Sequence, residues 1–178
     1  MANKQDVPDH LRPGLKLVIV GINPGVRSGA SGHHYAWPGN HFWPLMYASG
    51  LIPEPLTYAD DHRVLEWNIG LTNLVDRTSR QASDLSRDEL RAGAITLRRK
   101  LIECKPGVVC FNGKGIYEVF ADRKNVKLGL QEETLEGSLL FVVPSSSART
   151  AAYQRDAKLR YYEALKQIVD QLAVPVAS

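Results

Sequence analysis

The chain has 178 residues, 44% of them hydrophobic, which predicts a globular domain with a sizeable core. A net charge of +3 is compatible with a polyanionic partner without requiring one, and two cysteines are too few for a disulfide framework or a four-thiolate cluster. The sequence shows no apolar run long enough for a membrane helix and no signal-peptide core near its start, so we expect a cytoplasmic protein with no membrane contact.

The first half of the chain is expected to contain two strands and two short helices. Residues 1–14 predict an irregular lead-in, and the apolar run Leu15–Val20 predicts a buried strand that ends abruptly at the following glycines and proline. The stretch 26–40, rich in Gly, Ser and His, is interpreted as a long functional loop. Two helices and a second strand are predicted to follow, at 42–49, 58–68 and 69–75.

The most clearly marked helix begins at a capping box formed by Ser86 and Glu89. Its buried face is indicated by apolar residues at helical spacing, namely Leu90, Ala94, Leu97 and Leu101. The remaining predicted elements are a strand, a helix, a strand and a helix, at 107–111, 116–120, 139–143 and 153–172. The buried stripe expected on the last helix consists of Tyr161, Leu165, Ile168 and Leu172.

Short apolar strands that alternate with amphipathic helices are typical of an α/β fold, with a mostly parallel sheet covered on both faces. We divide the chain into a lead-in at 1–14, a single domain at 15–172 and a tail at 173–178.

Three polar loops follow the predicted apolar strands, at 23–25, 112–115 and 144–149. In a parallel sheet they would meet at one edge and form a composite site. The site would hold amides, hydroxyls, glycines, one lysine and one arginine, a set of donors and charges that suits phosphate groups.

The motifs expected of a nucleotide-hydrolysing, a dinucleotide-binding or a zinc site are absent from the sequence. Gly113-Lys114 is not a Walker A loop, and Gly21–Gly25 does not fit the dinucleotide-binding glycine pattern. The clusters at 33–34 and 60–62 lack a familiar zinc spacing, so no metal is expected. Tyr35 and Trp37 either offer flat surfaces for stacking on a base or fill the core.

Taken in order, five motifs resemble the mismatch-specific uracil-DNA glycosylase family, especially its thymine-DNA glycosylase branch. They are Gly21-Ile22-Asn23-Pro24-Gly25, Gly32-His33-His34-Tyr35 with Pro38-Gly39-Asn40-His41-Phe42-Trp43, Thr72-Asn73-Leu74-Val75, Phe111-Asn112-Gly113-Lys114, and Pro144-Ser145-Ser146-Ser147-Ala148-Arg149. The resemblance covers residues 15–172 and implies a three-layer αβα sandwich of the uracil-DNA glycosylase type, without a cofactor. It further implies that uracil, or another altered pyrimidine, is flipped out of G-mismatched double-stranded DNA and its N-glycosidic bond hydrolysed, leaving an abasic site.

The resemblance also implies roles for individual residues. Asn23 would position the attacking water, and Tyr35 would stack on the flipped base. The other expected base contacts are Ile22, Ser28 and Asn73. The expected phosphate contacts are Asn112, Lys114, Ser145 and Ser147. The expected wedge, which fills the gap in the base stack and faces the orphan guanine, is Ala148 and Arg149.

An amide side chain cannot take up a proton as a carboxylate can, so Asn23 would orient water and do little general-base work. We therefore expect a slow step that prefers uracil over thymine. One hypothesis adds Asp76 as a catalytic general base; the alternative is that Asp76 caps a turn or pairs with Arg77 or Arg80.

The expected partner is double-stranded DNA with G·U or G·T mismatches, bound by a monomer that is nucleoid-associated if the source is prokaryotic. Downstream abasic-site repair enzymes are candidate partners. Two alternatives stay open: a non-catalytic module that binds mismatched or abasic DNA, and a hydrolase of small nucleosides or nucleotides.

Overall fold

The computed structural model describes residues 5–148 and 154–173, and it shows a five-stranded sheet flanked by helices. The strands are β1 Leu17–Gly21, β2 Ile69–Asn73, β3 Val108–Asn112, β4 Gly129–Leu135 and β5 Ser138–Val143. The α-helices are α1 Val26–Ser31, α2 Phe42–Ala48, α3 Arg87–Cys104, α4 Lys114–Ala121 and α5 Arg155–Ala173. Two 3₁₀ helices lie at Tyr58–Trp67 and Ala82–Asp84.

The sheet has the strand order β2-β1-β3-β5-β4, and only β4 runs antiparallel to its neighbour. The parallel register places Gly21 beside Asn73 and Asn112 beside Val143, so the loops after β1, β2, β3 and β5 leave the same edge. The chain goes from β1 to β2 on one side and returns to β3 on the other. This reversal creates a crevice between the ends of β1 and β3, where open α/β sheets bind ligands.

Alternate strand residues face two separate cores. Leu17 and Ile19 of β1 pack with α2, α5 and the 3₁₀ helix at 58–67, while Val18 and Val20 pack with α3 and α4. The sheet is therefore buried on both faces, which explains why its parallel strands read as continuous apolar runs. The α/β fold predicted from the sequence, a mostly parallel sheet between two helical layers, is confirmed.

The segment 26–40 is not the continuous loop that was predicted. Residues Val26–Ser31 form α1, which begins after Gly25 and ends at Gly32, where φ is 78°. Glycine and serine are poor helix formers, so local propensity gave no indication of this short helix. Tertiary contacts hold it instead, since Ser28 is buried and its Oγ accepts a hydrogen bond from the Ala36 N–H.

Strand β4 was missed in the sequence because its residues are mostly polar. Its side chains alternate between partly buried and exposed positions, and Leu130 is exposed. An edge strand can carry such a sequence because only one side pairs with the sheet. The antiparallel pairing of β4 with β5 supplies the backbone partners that a polar strand needs.

The buried stripe of α5 differs by one position from the prediction at two of its four sites. The buried side chains of the described part of α5 are Lys158, Tyr162, Leu165 and Val169. Leu172 is exposed, and Tyr161 and Ile168 are only partly buried. Because one of the buried positions is a lysine, the periodicity of apolar residues does not identify the buried face of α5 correctly.

The lead-in is tied to the domain through the edge strand β2. His10 exchanges two backbone hydrogen bonds with Leu71, at 2.9 and 3.0 Å, and Val7 is buried. This bridge covers an edge that would otherwise expose unpaired backbone groups. In the described part of the chain, every helix is too short or too polar to cross a bilayer.

Candidate active site

A cavity of about 180 Å³ opens at the carboxyl edge of the sheet, above the crevice between β1 and β3. Its walls come from the loops after all four parallel strands and from the segment that follows α1. The sequence-predicted residues that line it are Ile22, Asn23, Ser28, Tyr35, Asn73, Asn112, Ser145 and Ser147. The structure thus brings eight of the predicted positions to one place.

The Asn23 side chain is held by its amide nitrogen. Nδ2 donates to the carbonyl of Arg77 and the hydroxyl of Ser79, both at 2.8 Å, and more weakly to the carbonyl of Pro24 at 3.3 Å. Because a carbonyl only accepts, these contacts identify the nitrogen and leave Oδ1 as the remaining polar atom. Asn23 therefore presents an acceptor of defined orientation in the wall of the cavity.

The loop that carries Asn23 is fastened to the loop after β2. Backbone hydrogen bonds run from Leu74 N to Gly21 O, from Val75 N to Ile22 O, and from Ser79 N to Pro24 O, at 2.8 to 3.1 Å. The two loops leave adjacent parallel strands, so they can run side by side with paired backbones. This pairing limits the movement of the Asn23 backbone.

Gly21 lies beneath two of the predicted base-contacting residues. A Cβ atom at this position would lie 2.5 Å from Asn73 Oδ1 and 3.0 Å from the Tyr35 hydroxyl. Both side chains therefore reach across the end of β1 at a distance that only glycine permits. Asn73 and Tyr35 meet in the cavity because β1 ends in a residue without a side chain.

The Tyr35 ring stacks on Phe42, with 3.9 Å between the ring centroids and 22° between the planes. Tyr35 has a backbone φ of 55°, an uncommon value for a bulky residue that often marks functional sites. Its hydroxyl is buried and has no hydrogen-bond partner among the described residues, and burial raises the pKa of this phenol. The ring is thus held as a neutral, flat wall of the cavity.

Asn112 braces the loop after β5. Its Nδ2 donates to Ser146 Oγ at 2.9 Å, and its Oδ1 accepts from Ser146 N at 3.0 Å. Gly113, with a φ of 134° that favours glycine, then turns the chain into α4. The predicted phosphate contact of Asn112 gains no support from this arrangement, which commits both amide atoms to Ser146.

Four of the remaining phosphate and wedge positions are placed as follows. Ser145 and Ser147 lie at the mouth of the cavity, where Ser147 N donates to Ser145 Oγ at 3.2 Å. Lys114 is exposed at the first position of α4, outside the cavity lining, and Ala148 is also exposed. The predicted wedge residue Arg149 lies outside the described residues.

Asp76 does not line the cavity that contains Asn23. Its exposed carboxylate accepts a hydrogen bond from Gln5 Nε2 at 3.0 Å and borders a second hollow beside α3. Arg77 pairs instead with Glu89. The general-base hypothesis for Asp76 stays a prediction, and this position gives it no support.

A network of histidines surrounds the buried carboxylate of Asp61 behind the cavity. His33 Nδ1 and His10 Nε2 lie 3.0 and 3.2 Å from its oxygens, and His34 N donates to it at 2.8 Å. Burial alone would raise the Asp61 pKa, but these three contacts lower that pKa to about 2. Burial lowers the pKa of His34, a residue that also lines the cavity.

The same network contains the group of described side chains with metal-ligand character, formed by His10, His34 and Asp61. The Asp61 oxygens already receive hydrogen bonds, and His34 Nε2 lies 2.9 Å from the carbonyl of Pro8. The geometry is that of a hydrogen-bonded support between the lead-in and the segment that carries Tyr35.

Two residues that the site depends on were missed in the sequence. Ser79 is one of the acceptors that hold Asn23, and its position in a polar segment gave no signal of this contact. Lys158 lies beneath Ser147, in a helix where a lysine is ordinarily solvated. Ser79 contacts a residue more than fifty positions away, and Lys158 contacts a loop whose sequence does not resemble that of its helix. Neither contact can be predicted from local sequence pattern.

An open α/β sheet whose carboxyl edge carries a cavity lined by amide, hydroxyl and aromatic side chains places the protein among the α/β proteins that bind ligands at that edge. Within that class, the chain matches the family described as the Uracil DNA glycosylase superfamily over residues 8–172. The protein belongs to this superfamily, which supports a DNA glycosylase activity and binding to DNA.

A solved structure gives an independent comparison of the fold. The chain is similar to the solution NMR structure of "a putative Uracil DNA glycosylase from Methanosarcina acetivorans", with a TM-score of 0.63 and 21% sequence identity. The match covers 91% of this chain and 96% of that one. The two proteins therefore share the architecture over nearly their whole lengths.

Proposed function

We propose that this protein is a mismatch-directed DNA glycosylase of the thymine-DNA glycosylase branch. It flips uracil, and to a lesser extent thymine or other modified pyrimidines, out of double-stranded DNA opposite guanine. It then hydrolyses the N-glycosidic bond and leaves an abasic site. Superfamily membership supports the reaction class, and the five motifs around the cavity support the choice of branch.

The observation that carries this proposal is the fixed amide of Asn23. With Nδ2 committed to Arg77, Ser79 and Pro24, Oδ1 can accept a hydrogen bond from a water molecule and hold it beside the sugar of a flipped nucleotide. Fixing a nucleophile in this way removes orientational freedom before the reaction begins. Asn23 does not deprotonate that water, since an amide oxygen is a very weak base.

The departing base carries the negative charge of the broken bond. Tyr35 forms a flat wall on which the base stacks, and Asn73 offers an amide within reach of its polar edge. Hydrogen bonds to the base oxygens stabilise the developing anion. Because no strong base assists the water, the reaction depends on the leaving group, and uracil leaves more readily than thymine.

Mismatch selectivity arises before the chemical step. Flipping a base requires a few kcal/mol and least at a weakened pair, so a G·U or G·T pair opens more readily than a matched pair. In this proposal Ser145, Ser147 and Lys114 hold phosphates, while Ala148 and Arg149 occupy the gap in the stack. Ser28, which also lines the cavity, adds a hydrogen bond to the pyrimidine.

The Asp76 carboxylate has no step assigned to it here. Its exposed position beside Gln5 favours a local structural contact over proton transfer at the sugar. Asp76→Asn tests this directly: an unchanged single-turnover rate removes the general-base hypothesis, whereas a large loss with normal DNA binding would restore it.

The deciding experiment incubates the protein with a duplex that contains one G·U pair, followed by alkaline cleavage of abasic sites. We expect a strand break at the uracil, a slower break at G·T, and little at A·U. Asn23→Ala should reduce the single-turnover rate at least about a hundredfold, because the water loses its fixed position. Tight binding without any strand break by the wild type would instead identify a non-catalytic mismatch-binding module.

A further inference from the structure

Lys158 is a fully buried lysine in α5 that the proposed reaction does not use. Its side chain has no exposed surface, although lysine is almost never completely buried without an ionic partner. Nζ donates to the Ser147 carbonyl at 3.0 Å and lies 3.3 Å from His41 Nδ1. The ammonium group therefore lies directly beneath the serine loop, defined as Ser145, Ser146 and Ser147, which lines the cavity.

No aspartate or glutamate side chain balances this charge. All aspartates and glutamates of the chain fall within residues 5–148 and 154–173, and none of them makes an ion pair with Lys158 there. By contrast, Lys166, two turns further along α5, pairs with Asp170 at 2.5 Å. An unbalanced buried ammonium is unfavourable in the isolated protein, since desolvation is not offset by an opposite charge.

His41 accepts from Lys158 only as a neutral ring. Burial, together with the positive charges of Lys158 and Arg155, lowers the pKa of His41, so the ring adds no second charge. The His41 backbone N–H also donates to Ser146 O at 3.0 Å. Lys158 and His41 thus join the serine loop to the segment that leads into α2, and both segments border the cavity.

We propose that Lys158 is a positioning residue whose buried positive charge is completed by a DNA backbone phosphate held on Ser145 and Ser147. This inference rests on the proposed function, because the missing negative charge is supplied by bound DNA. The ammonium group does not touch the phosphate. It acts through the thin layer of the serine loop, where the low dielectric of the interior keeps the attraction strong over several ångströms.

A purely structural role would leave a different signature. If Lys158 only supported the fold, its replacement would change DNA affinity by the same factor at every salt concentration. The factor would also be the same for DNA with charged or with neutralised phosphates. A buried charge that faces a phosphate contributes to counterion release, so removing it changes the salt dependence of binding. The two roles are therefore separable by experiment even though both depend on the same side chain.

The test measures binding of a G-mismatched duplex that carries a non-hydrolysable 2′-fluoro analogue of deoxyuridine. A neutral methylphosphonate replaces, one at a time, each phosphate that flanks the analogue. The proteins are the wild type, Lys158→Gln, which keeps a donor but loses the charge, and Lys158→Arg, which keeps the charge. Lys166→Gln is the matched control on the same helix, and Lys158→Met replaces Lys158→Gln if circular dichroism shows that the latter is not folded.

We expect one methylphosphonate to weaken wild-type binding about tenfold and to weaken Lys158→Gln binding about twofold or less. Lys158→Gln should also reduce the slope of log Kd against log salt by about one unit, while Lys166→Gln and Lys158→Arg keep the wild-type slope. Equal sensitivity of the wild type and Lys158→Gln to the methylphosphonate overturns the inference. So does wild-type binding that is insensitive to both methylphosphonates, a result that needs no variant.

Failure of this inference is distinguishable from failure of the proposed function. If the wild type cleaves the G·U duplex but Lys158→Gln keeps its phosphate sensitivity, only the role of Lys158 is wrong. If the wild type neither binds nor cleaves the G·U duplex, the proposed function fails first.

Discussion

At the scale of single residues, the proposed chemistry depends on how firmly Asn23 is held. Three acceptors fix its amide nitrogen, and one of them is the Ser79 hydroxyl, which itself donates to the Gln81 carbonyl at 2.8 Å. The Oδ1 atom proposed to hold the water is thus oriented mainly through Arg77 and Ser79, which lie outside the cavity lining.

Ser79→Ala should therefore slow base excision while DNA binding stays unchanged. Loss of one of the two short contacts lets the Asn23 amide rotate, and we expect the single-turnover rate to fall about tenfold. The measurement is single-turnover excision of uracil from a G·U duplex, with Kd for the 2′-fluoro duplex measured in parallel. Ser83→Ala, an exposed serine in the same segment, is the control and should keep the wild-type rate. Equal rates for the two variants would contradict this account of Asn23.

Gly21 gives a second prediction at this scale. In Gly21→Ala the new methyl group would collide with Asn73 Oδ1 and crowd the Tyr35 hydroxyl, but both are the ends of side chains that can move. We expect excision to fall at least about tenfold, because the two side chains proposed to contact the base are displaced. The free energy of unfolding should change by less than about 1 kcal/mol, since no backbone atom is in the way.

Gly115→Ala provides the comparison for Gly21→Ala, because a Cβ there has no atom within 4 Å. It should keep full activity. Loss of stability in Gly21→Ala that matches the loss of activity would mean that the fold, and not the cavity, depends on this glycine.

At the scale of the elements, the start of helix α3 is stabilised by its own capping contacts. Its capping box is complete: Ser86 Oγ accepts from Glu89 N at 3.1 Å, and Ser86 N donates to Glu89 Oε2 at 2.7 Å. Glu89 also pairs with Arg77, which holds the segment whose carbonyl anchors Asn23. The start of α3 therefore supports the site from outside the cavity.

Ser86→Ala should lower the free energy of unfolding by about 1 kcal/mol, because a backbone N–H of the first turn loses its acceptor. For a chain of this size the melting temperature should fall by about 2–4 °C. Thermal unfolding followed by circular dichroism measures this, with Ser83→Ala as the uncapped reference. An unchanged melting temperature would show that water replaces the cap.

At the scale of the whole molecule, the histidine network joins three parts that are far apart in sequence. It holds the lead-in through His10, the segment with Tyr35 through His34, and the 3₁₀ helix through Asp61. Burial lowers the pKa of His34, so the unfolded chain binds a proton more readily than the folded one. Stability from this group is complete above the unfolded pKa of about 6.5 and is lost as the pH falls below it.

We therefore expect the free energy of unfolding to decrease as the pH falls below about 6.5, by up to about 1.4 kcal/mol per pH unit from this histidine. Asp61, whose pKa is lowered to about 2, contributes stability above about pH 4 that is lost as the pH falls further. Urea unfolding across this range measures both effects. His34→Asn should flatten the upper part of the profile, whereas exposed His62→Asn should not; a steep profile in His34→Asn would assign the effect elsewhere.

The sequence alone determined much of the fold and of the site's composition. Continuous apolar strands, the capping box at Ser86 and alternating helices predicted a mostly parallel sheet with two helical layers. Its strand ends then predicted that Asn23, Asn112 and the serine loop would converge. These features are local, or they follow from the periodicity of apolar residues and the order of the elements along the chain, both of which can be read from the sequence.

Tertiary structure alone decided how those residues are held. Three contacts show this: Asn23 with Ser79, Asn112 with Ser146, and Lys158 with Ser147. Each joins two segments, and the sequence pattern of neither segment predicts its contact with the other. Helix α1 and strand β4 exist for the same reason, because packing and strand pairing outweigh weak local propensity. The sequence thus determined which chemical groups meet at the sheet edge, and the packed chain decided their orientation, burial and charge balance.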